Sequence, residues 1–345
     1  MQTQDDLQLK FDGDLVRLVL AGGPRRAPAE YLGLAAAALR VGDLVLAVRL
    51  LRTARGLYPQ GPVVAAAAQC VQRLFPEEFR PLGEVASVKV FGIGLSRTGT
   101  RSLNDAMALL GLRSAHWADA HGGILGWDEI LSHDALSDTP IAFQFETLYH
   151  AFPQARFVFT VRDKAAWATS MQRHFHWIRS HQHLQDLCAQ GTGKGVVGLP
   201  AWRVIHLALY ANHASWADAF DAHEARVKRF FGAQVEPNLL RIDLTDPSTT
   251  DVQKWTALAQ FVGAREVDIP LMPFPKRNVK TPEGAAATAA PSLPPAWTRP
   301  CGVAQLERLA TRLAVQRGMQ PKGVAKAPAV GRGRASELVA PSGAN

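Results

Sequence analysis

Apolar residues recur along this chain in two registers, one suited to helices and one to strands, and the switches between them mark the elements. From Pro28 to Pro59 the spacing is helical, with Tyr31, Leu32, Leu34, Ala35 and Ala38 on one segment and Ala47, Leu50, Leu51 and Ala54 on the next. Gly42-Asp43 interrupts them, which predicts two helices around a turn. Residues 61–75 add a third apolar stretch, expected as a helix covering a hairpin that cannot bury its own face. Beyond Ser87 short apolar runs take over. Segments 88–93, 134–138, 156–161 and 238–243 read as strands, and 100–110, 142–152, 163–178, 200–232 and 252–262 read as helices between them. In the 200–232 helix the expected anchors are Trp202, Ile205, Leu207, Ala211, Trp216 and Phe220. Alternating strands and helices predict an α/β fold, a parallel β-sheet flanked by helices with an N-terminal α-helical extension.

The chain divides accordingly into an N-terminal helical segment (1–80), an α/β domain (87–280) and a C-terminal stretch (281–345). That last stretch opens with a Pro/Ala-rich linker and contains an amphipathic helix at 303–317, with Val303, Leu306, Leu309 and Leu313 on one side. It ends in a basic tail expected to be disordered. In the N-terminal hairpin, Ala35, Gly42, Ala47, Leu51, Ala54 and Pro59 resemble one tetratricopeptide repeat in their offsets, and the chain holds no second copy. The segment is therefore read either as a cap on the main domain or as a surface for a protein partner.

Composition narrows the function. Of 345 residues 47% are hydrophobic and 20% charged, ordinary for a soluble globular protein, and no apolar run approaches the roughly 18 residues of a membrane helix. The start, Met1-Gln-Thr-Gln-Asp-Asp, lacks the features of a secretory signal, so a cytoplasmic location is expected. Cys70, Cys188 and Cys301 are too few and too widely spaced for a disulfide framework or a zinc site. The net charge is +8, but residues 281–345 hold eight Lys/Arg against three Glu, so most of the excess belongs to the tail. Nucleic acid is not an expected partner.

The chemistry concentrates in Gly92-Ile-Gly-Leu-Ser-Arg-Thr-Gly-Thr-Arg-Ser102, set between a strand and a helix where amides and the helix dipole converge on an anion. A dinucleotide fingerprint beginning at Gly92 needs glycine where Arg97 stands, and a nucleoside-triphosphate loop beginning at Gly94 needs Lys-Ser/Thr where Thr100-Arg101 stand. What remains is a loop whose cation, Arg97, lies inside the turn, suited to a phosphate or phosphosulfate. Downstream, Arg162 leaves the strand 156–161 and Ser170 comes eight residues later on the next helix. Two strand ends presenting cations at one sheet edge grip a nucleotide with two separated anionic groups.

On these residues the chain resembles sulfotransferases that use 3′-phosphoadenosine 5′-phosphosulfate (PAPS). Gly94-Leu-Ser-Arg-Thr-Gly-Thr-Arg-Ser102 is similar to their 5′-phosphosulfate loop, and Arg162 with Ser170 to their 3′-phosphate motif, although Lys164 stands where the family often has proline. The resemblance implies donor contacts from Gly94, Ser96, Arg97, Thr98, Gly99, Thr100, Arg101, Ser102, Arg162 and Ser170. It extends to Pro273-Phe-Pro-Lys-Arg-Asn278, where Lys276 and Arg277 are further candidates. It implies sulfuryl transfer to a hydroxyl or amine of a small-molecule, glycan or lipid acceptor, with PAP (3′,5′-adenosine bisphosphate) as product and no metal required. Arg97 is the candidate for stabilising the charge that grows on the leaving phosphate. Asp138 and His116 compete as the base, Asp138 with a helix N-cap role as its alternative. His174, His176, His181 and His183 are read as a solvated helix face rather than a metal site. A Mg²⁺-dependent kinase and an inactive sulfotransferase-like scaffold are the competing readings.

Overall fold

The computed structural model describes residues 27–119, 123–176, 178, 180–190, 199–232, 237–276 and 301–319. It opens with helices α1 (Pro28–Val41), α2 (Leu44–Leu57) and α3 (Pro62–Leu74), then the short α4 (Pro76–Phe79) and α5 (Leu82–Ala86). Gly42, at a φ of 85°, turns the chain within one residue, and Asp43 accepts the Leu46 amide at 2.8 Å to start α2.

The α/β domain runs β1 (Val90–Gly92), α6 (Thr100–Leu110), β2 (Ser114–His116), α7 (Trp127–Ser132), β3 (Ala135–Ser137), α8 (Thr139–Ala151), β4 (Arg156–Thr160) and α9 (Lys164–His174). Next come α10 (His181–Gln190), α11 (Pro200–His206), a π-helical turn (Leu207–Ala211), α12 (Trp216–Phe231), β5 (Leu239–Ile242) and α13 (Asp251–Val262). The five strands are all parallel in the order β2-β3-β1-β4-β5. Strand order reverses beside β1, and that switch point is where open α/β sheets bind ligands.

Successive strand residues feed opposite faces of the sheet. Val90, Ala135 and Val158 pack with Leu103, Met107 and Leu110 of α6 and Trp255 and Leu258 of α13. Phe91, Leu136, Phe157 and Phe159 face the other way onto Ile141, Phe145 and Leu148 of α8 and Val227 and Phe231 of α12. A third apolar cluster, built from α9 to α12, stands beyond the strands' C-terminal ends and includes Leu95 from the loop after β1.

Two expectations about elements change. The stretch 200–232 is not one helix: the π-helical turn shifts its register, leaving Leu207 36% exposed while Trp202, Ile205, Ala211, Trp216 and Phe220 are buried, and Ser215 caps a new helix at Trp216. The helix expected over 163–178 ends at His174. The helix expected over 303–317 is α14 (Val303–Gln316), and it joins the N-terminal unit, with Leu306, Ala310, Leu313 and Ala314 buried in the same cluster as α1 to α3. The remainder of the expected tail, the linker and residues 1–26 lie outside the described residues.

This helical unit is fastened to the α/β domain by polar contacts. Asp268, its side chain fully buried, pairs with Arg52 of α2 at 2.8 Å and with Arg265 at 2.9 Å. Arg49 donates to the Ile269 carbonyl at 2.9 Å, and the Leu271 amide donates to Thr53 Oγ1 at 3.0 Å. Because Leu306 is fully buried in that cluster, Leu306→Ala is expected to cost about 2–5 kcal/mol of stability by chemical denaturation. A loss below about 1 kcal/mol would show that α14 does not seal the helical unit.

Candidate active site

The loop from Ile93 to Gly99 is shaped by close packing on β4. A Cβ on Gly94 would overlap the Thr160 hydroxyl and come 2.7 Å from Thr98 Oγ1, so only glycine fits. Thr98 Oγ1 bonds the Leu95 carbonyl and Thr160 Oγ1, each at 2.7 Å. Arg97 and Gly99 both adopt left-handed backbone conformations, φ 72° and 101°. Such turns bring backbone amides together at an anion site, here at the N-terminus of the eleven-residue α6, although the Thr98 amide turns back to the Leu95 carbonyl at 3.2 Å. Trp167 Nε1 holds the Ser96 carbonyl at 2.8 Å from outside the turn.

Cations gather at this site. Arg97 Nε donates to Ser170 Oγ on α9 at 3.1 Å, and Arg162 Nη1 donates to the Arg97 carbonyl at 3.2 Å. Arg162 Nε is buried with no hydrogen-bond partner. The Arg97 guanidinium is pushed below its ordinary pKa, chiefly by burial and then by Arg162 and Arg173, while Asp138 opposes the shift. Among the described residues no carboxylate forms an ion pair with Arg97, Arg162 or Arg173. Two positive groups in contact, one of them with a buried donor unused, favour an anionic ligand.

A carboxylate sits on the other side of the loop. Asp138, at the C-terminal end of β3, is 5% exposed and holds a φ of 86°, a strained conformation for a non-glycine residue. Its Oδ1 accepts from Ser96 Oγ at 2.6 Å, the Thr139 amide at 2.8 Å and Thr139 Oγ1 at 3.1 Å. Its Oδ2 lies 3.0 Å from His116 Nε2. Burial alone raises this carboxyl, but hydrogen bonds from His116, Ser96 and Thr139, with the charge of His116, bring it down to about 2. His116 Nε2 is also 3.1 Å from Thr100 Oγ1 in the first turn of α6.

The two candidates for the base are therefore one pair. Asp138 is also the N-cap of α8, so its two proposed roles share one side chain. His116 ends the short strand β2. Of the expected donor contacts, Gly94, Ser96, Arg97, Thr98, Gly99, Thr100 and Ser102 lie in the loop and first helical turn, and Arg162 and Ser170 meet them from β4 and α9. Arg101 is exposed to solvent. Lys276 pairs with Asp251 at the start of α13, 3.3 Å away, and Arg277 lies outside the described residues. Within the histidine run, His181 departs from a solvated face: its ring packs edge-on to Trp216, and neither nitrogen has a partner. His174 is held below its ordinary pKa by burial and then by Arg97. Sequence reasoning missed Trp167, Thr160, Arg173 and Tyr210, whose hydroxyl accepts the Ser96 amide at 3.2 Å.

Residues 89–282, more than half of the chain, match the family described as the sulfotransferase domain. The chain belongs to the sulfotransferase family. Ava biosynthesis cluster protein M of Aspergillus versicolor is 31% identical over a stretch covering 25% of this chain and 42% of that protein. The chain thus spans less than half the length of this curated relative. The matched residues contain the whole sheet, the anion loop and both arginine-bearing edges, so the sulfotransferase domain coincides with the α/β unit.

The Asp138 carboxyl sets an acid limb for folding. Its folded-state value of about 2 lies below the ordinary 3.8, so it contributes stability above about pH 4 that disappears as pH falls through about 2. Over that window Asp138→Asn is expected to remove roughly 2 kcal/mol of pH dependence from the unfolding free energy. Equal acid limbs in the two proteins would contradict the ionised, caged carboxylate.

Proposed function

We propose that this sulfotransferase takes its sulfuryl group from PAPS and passes it to a hydroxyl or amine of a small-molecule, glycan or lipid acceptor. The observation that carries the reading is Arg162, half-buried just past β4 with a buried, unpartnered Nε, beside Arg97 and Ser170 at the loop that opens α6. Two anionic groups on one nucleotide match that layout. The loop amides and the start of α6 suit the 5′-phosphosulfate, and Arg162 with Ser170 suits the 3′-phosphate. Arg97 spans the two, since its backbone shapes the loop while its side chain reaches Ser170.

In the transfer, the bond from sulfur to the 5′-phosphate oxygen breaks with its electron pair left on PAP, and a new bond forms from the acceptor oxygen or nitrogen to sulfur. Arg97 and the amides of Gly99 and Thr100 stabilise the charge that grows on the departing phosphate, the Thr98 amide being taken up by the Leu95 carbonyl at 3.2 Å. His116 receives the acceptor's proton. Donation of Nε2–H to ionised Asp138 fixes the tautomer that leaves Nδ1 as the basic atom, and the same carboxylate stabilises the imidazolium that results. Asp138 is then a positioning residue that acts through His116.

PAP is expected to bind without added metal, measured by calorimetry. Arg162→Ala is expected to weaken it about 10- to 100-fold, as loss of charge-assisted hydrogen bonds to a phosphate implies. Tighter binding of ATP with Mg²⁺ than of PAP, or indifference of PAP to Arg162→Ala, would contradict the reading.

A further inference from the structure

The helix leading away from the site carries an irregularity that the donor contacts do not use. After α11 the chain makes one π-helical turn, Leu207–Ala211, with the Asn212 amide reaching back to the Leu207 carbonyl at 3.0 Å. A π turn inserts one residue into the helical register and rotates the downstream side chains by about 100°. Here it buries Leu209, Tyr210 and Ala211 together and leaves Leu207 exposed. Tyr210 is fully buried, and its hydroxyl oxygen accepts the backbone N–H of Ser96, 114 residues earlier in the chain.

Ser96 immediately precedes Arg97, so this bond acts on the loop where its strained turn begins. Ser96 is gripped from three directions. Trp167 holds its carbonyl, Asp138 and Thr139 hold its hydroxyl at 2.6 and 2.8 Å, and Tyr210 holds its amide. Tyr210 also interacts with the Thr139 and Ser96 side chains, and burial with the nearby Asp138 charge raises its own pKa, so it stays a neutral phenol. One buried hydroxyl thereby links the helices beyond the sheet edge to both the anion loop and the Asp138–His116 pair.

We infer that Tyr210 is a positioning residue for sulfuryl transfer, holding the Ser96 amide so that the adjoining loop amides face the reacting phosphosulfate. This rests on the donor reading above. A group that fixes geometry without touching the ligand is expected to cost rate more than affinity, because a shift of about 1 Å at the reacting centre costs far more in the transition state than in the ground state.

The test uses Tyr210→Phe, which deletes the hydroxyl and keeps the ring, with water as acceptor. PAPS and water then give PAP and sulfate, with the water proton passing to solvent through the base. Single-turnover hydrolysis is expected to fall at least about tenfold while the PAP Kd changes less than about threefold. Deuterium uptake in a peptide covering 93–102 is expected to rise. Tyr210 replaced by 3-fluorotyrosine, which keeps the shape and weakens the oxygen as an acceptor, should lose rate in the same direction and serves if the phenylalanine variant folds poorly. An unchanged rate per folded molecule, with only a lower melting temperature, would overturn the inference. If the wild-type protein neither binds PAP nor turns over PAPS, the donor reading fails instead. The loop's deuterium uptake then still decides whether Tyr210 holds Ser96, and equal uptake in variant and wild type overturns that too.

Discussion

A buried negative charge must be surrounded by donors, and Asp138 satisfies that requirement by drawing four elements to one point. Standing at the end of β3, it takes hydrogen bonds from the loop after β1, from the first residue of α8 and from the histidine that ends β2. The cost of leaving such a carboxylate unpaired is several kcal/mol, enough to impose the positive φ that Asp138 tolerates. With Ser96 fixed in this way, the loop can hold Arg97 and Gly99 in left-handed conformations. The chain then enters α6 at Thr100.

The other half of the site is organised by charge of the opposite sign. Arg97 and Arg162 meet without a carboxylate to pair them among the described residues, and burial, then the charges of Arg162 and of the exposed Arg173, weaken the hold of Arg97 on its proton. An arrangement of this kind is costly without a ligand and favourable with a doubly anionic one. The Asp138 cage holds Ser96, and the next residue, Arg97, reaches Ser170 in the arginine cluster. The site therefore joins a buried carboxylate–histidine pair to a cluster of arginines, and the proposed sulfuryl transfer rests on that pairing.

Much of this is legible in the sequence, and the reasons are local. Residues 100–110 carry a helical apolar period and a flanking glycine at each end, and the helix spans those residues in the structure. The four strands read from apolar runs are present, each within about two residues of the expected bounds. The strand β2 escapes such a reading because Ser114–His116 is three half-buried residues with no apolar alternation, which makes His116 look like part of a loop. The π-helical turn leaves no mark in composition. Tyr210 and Trp167 reach Ser96 across 114 and 71 positions, and nothing in spacing announces such contacts. The placement of α14 is hidden similarly, since an amphipathic pattern states that a helix has a buried face without stating which neighbour covers it.

The most direct measurement of the central claim is a crystal structure of the protein with PAP. The 5′-phosphate is expected on the amides of Gly99 and Thr100 at the head of α6, and the 3′-phosphate against Arg162 and Ser170, with Arg97 between them. A nucleotide bound elsewhere, or phosphates that leave Arg162 Nε unpartnered, would contradict it.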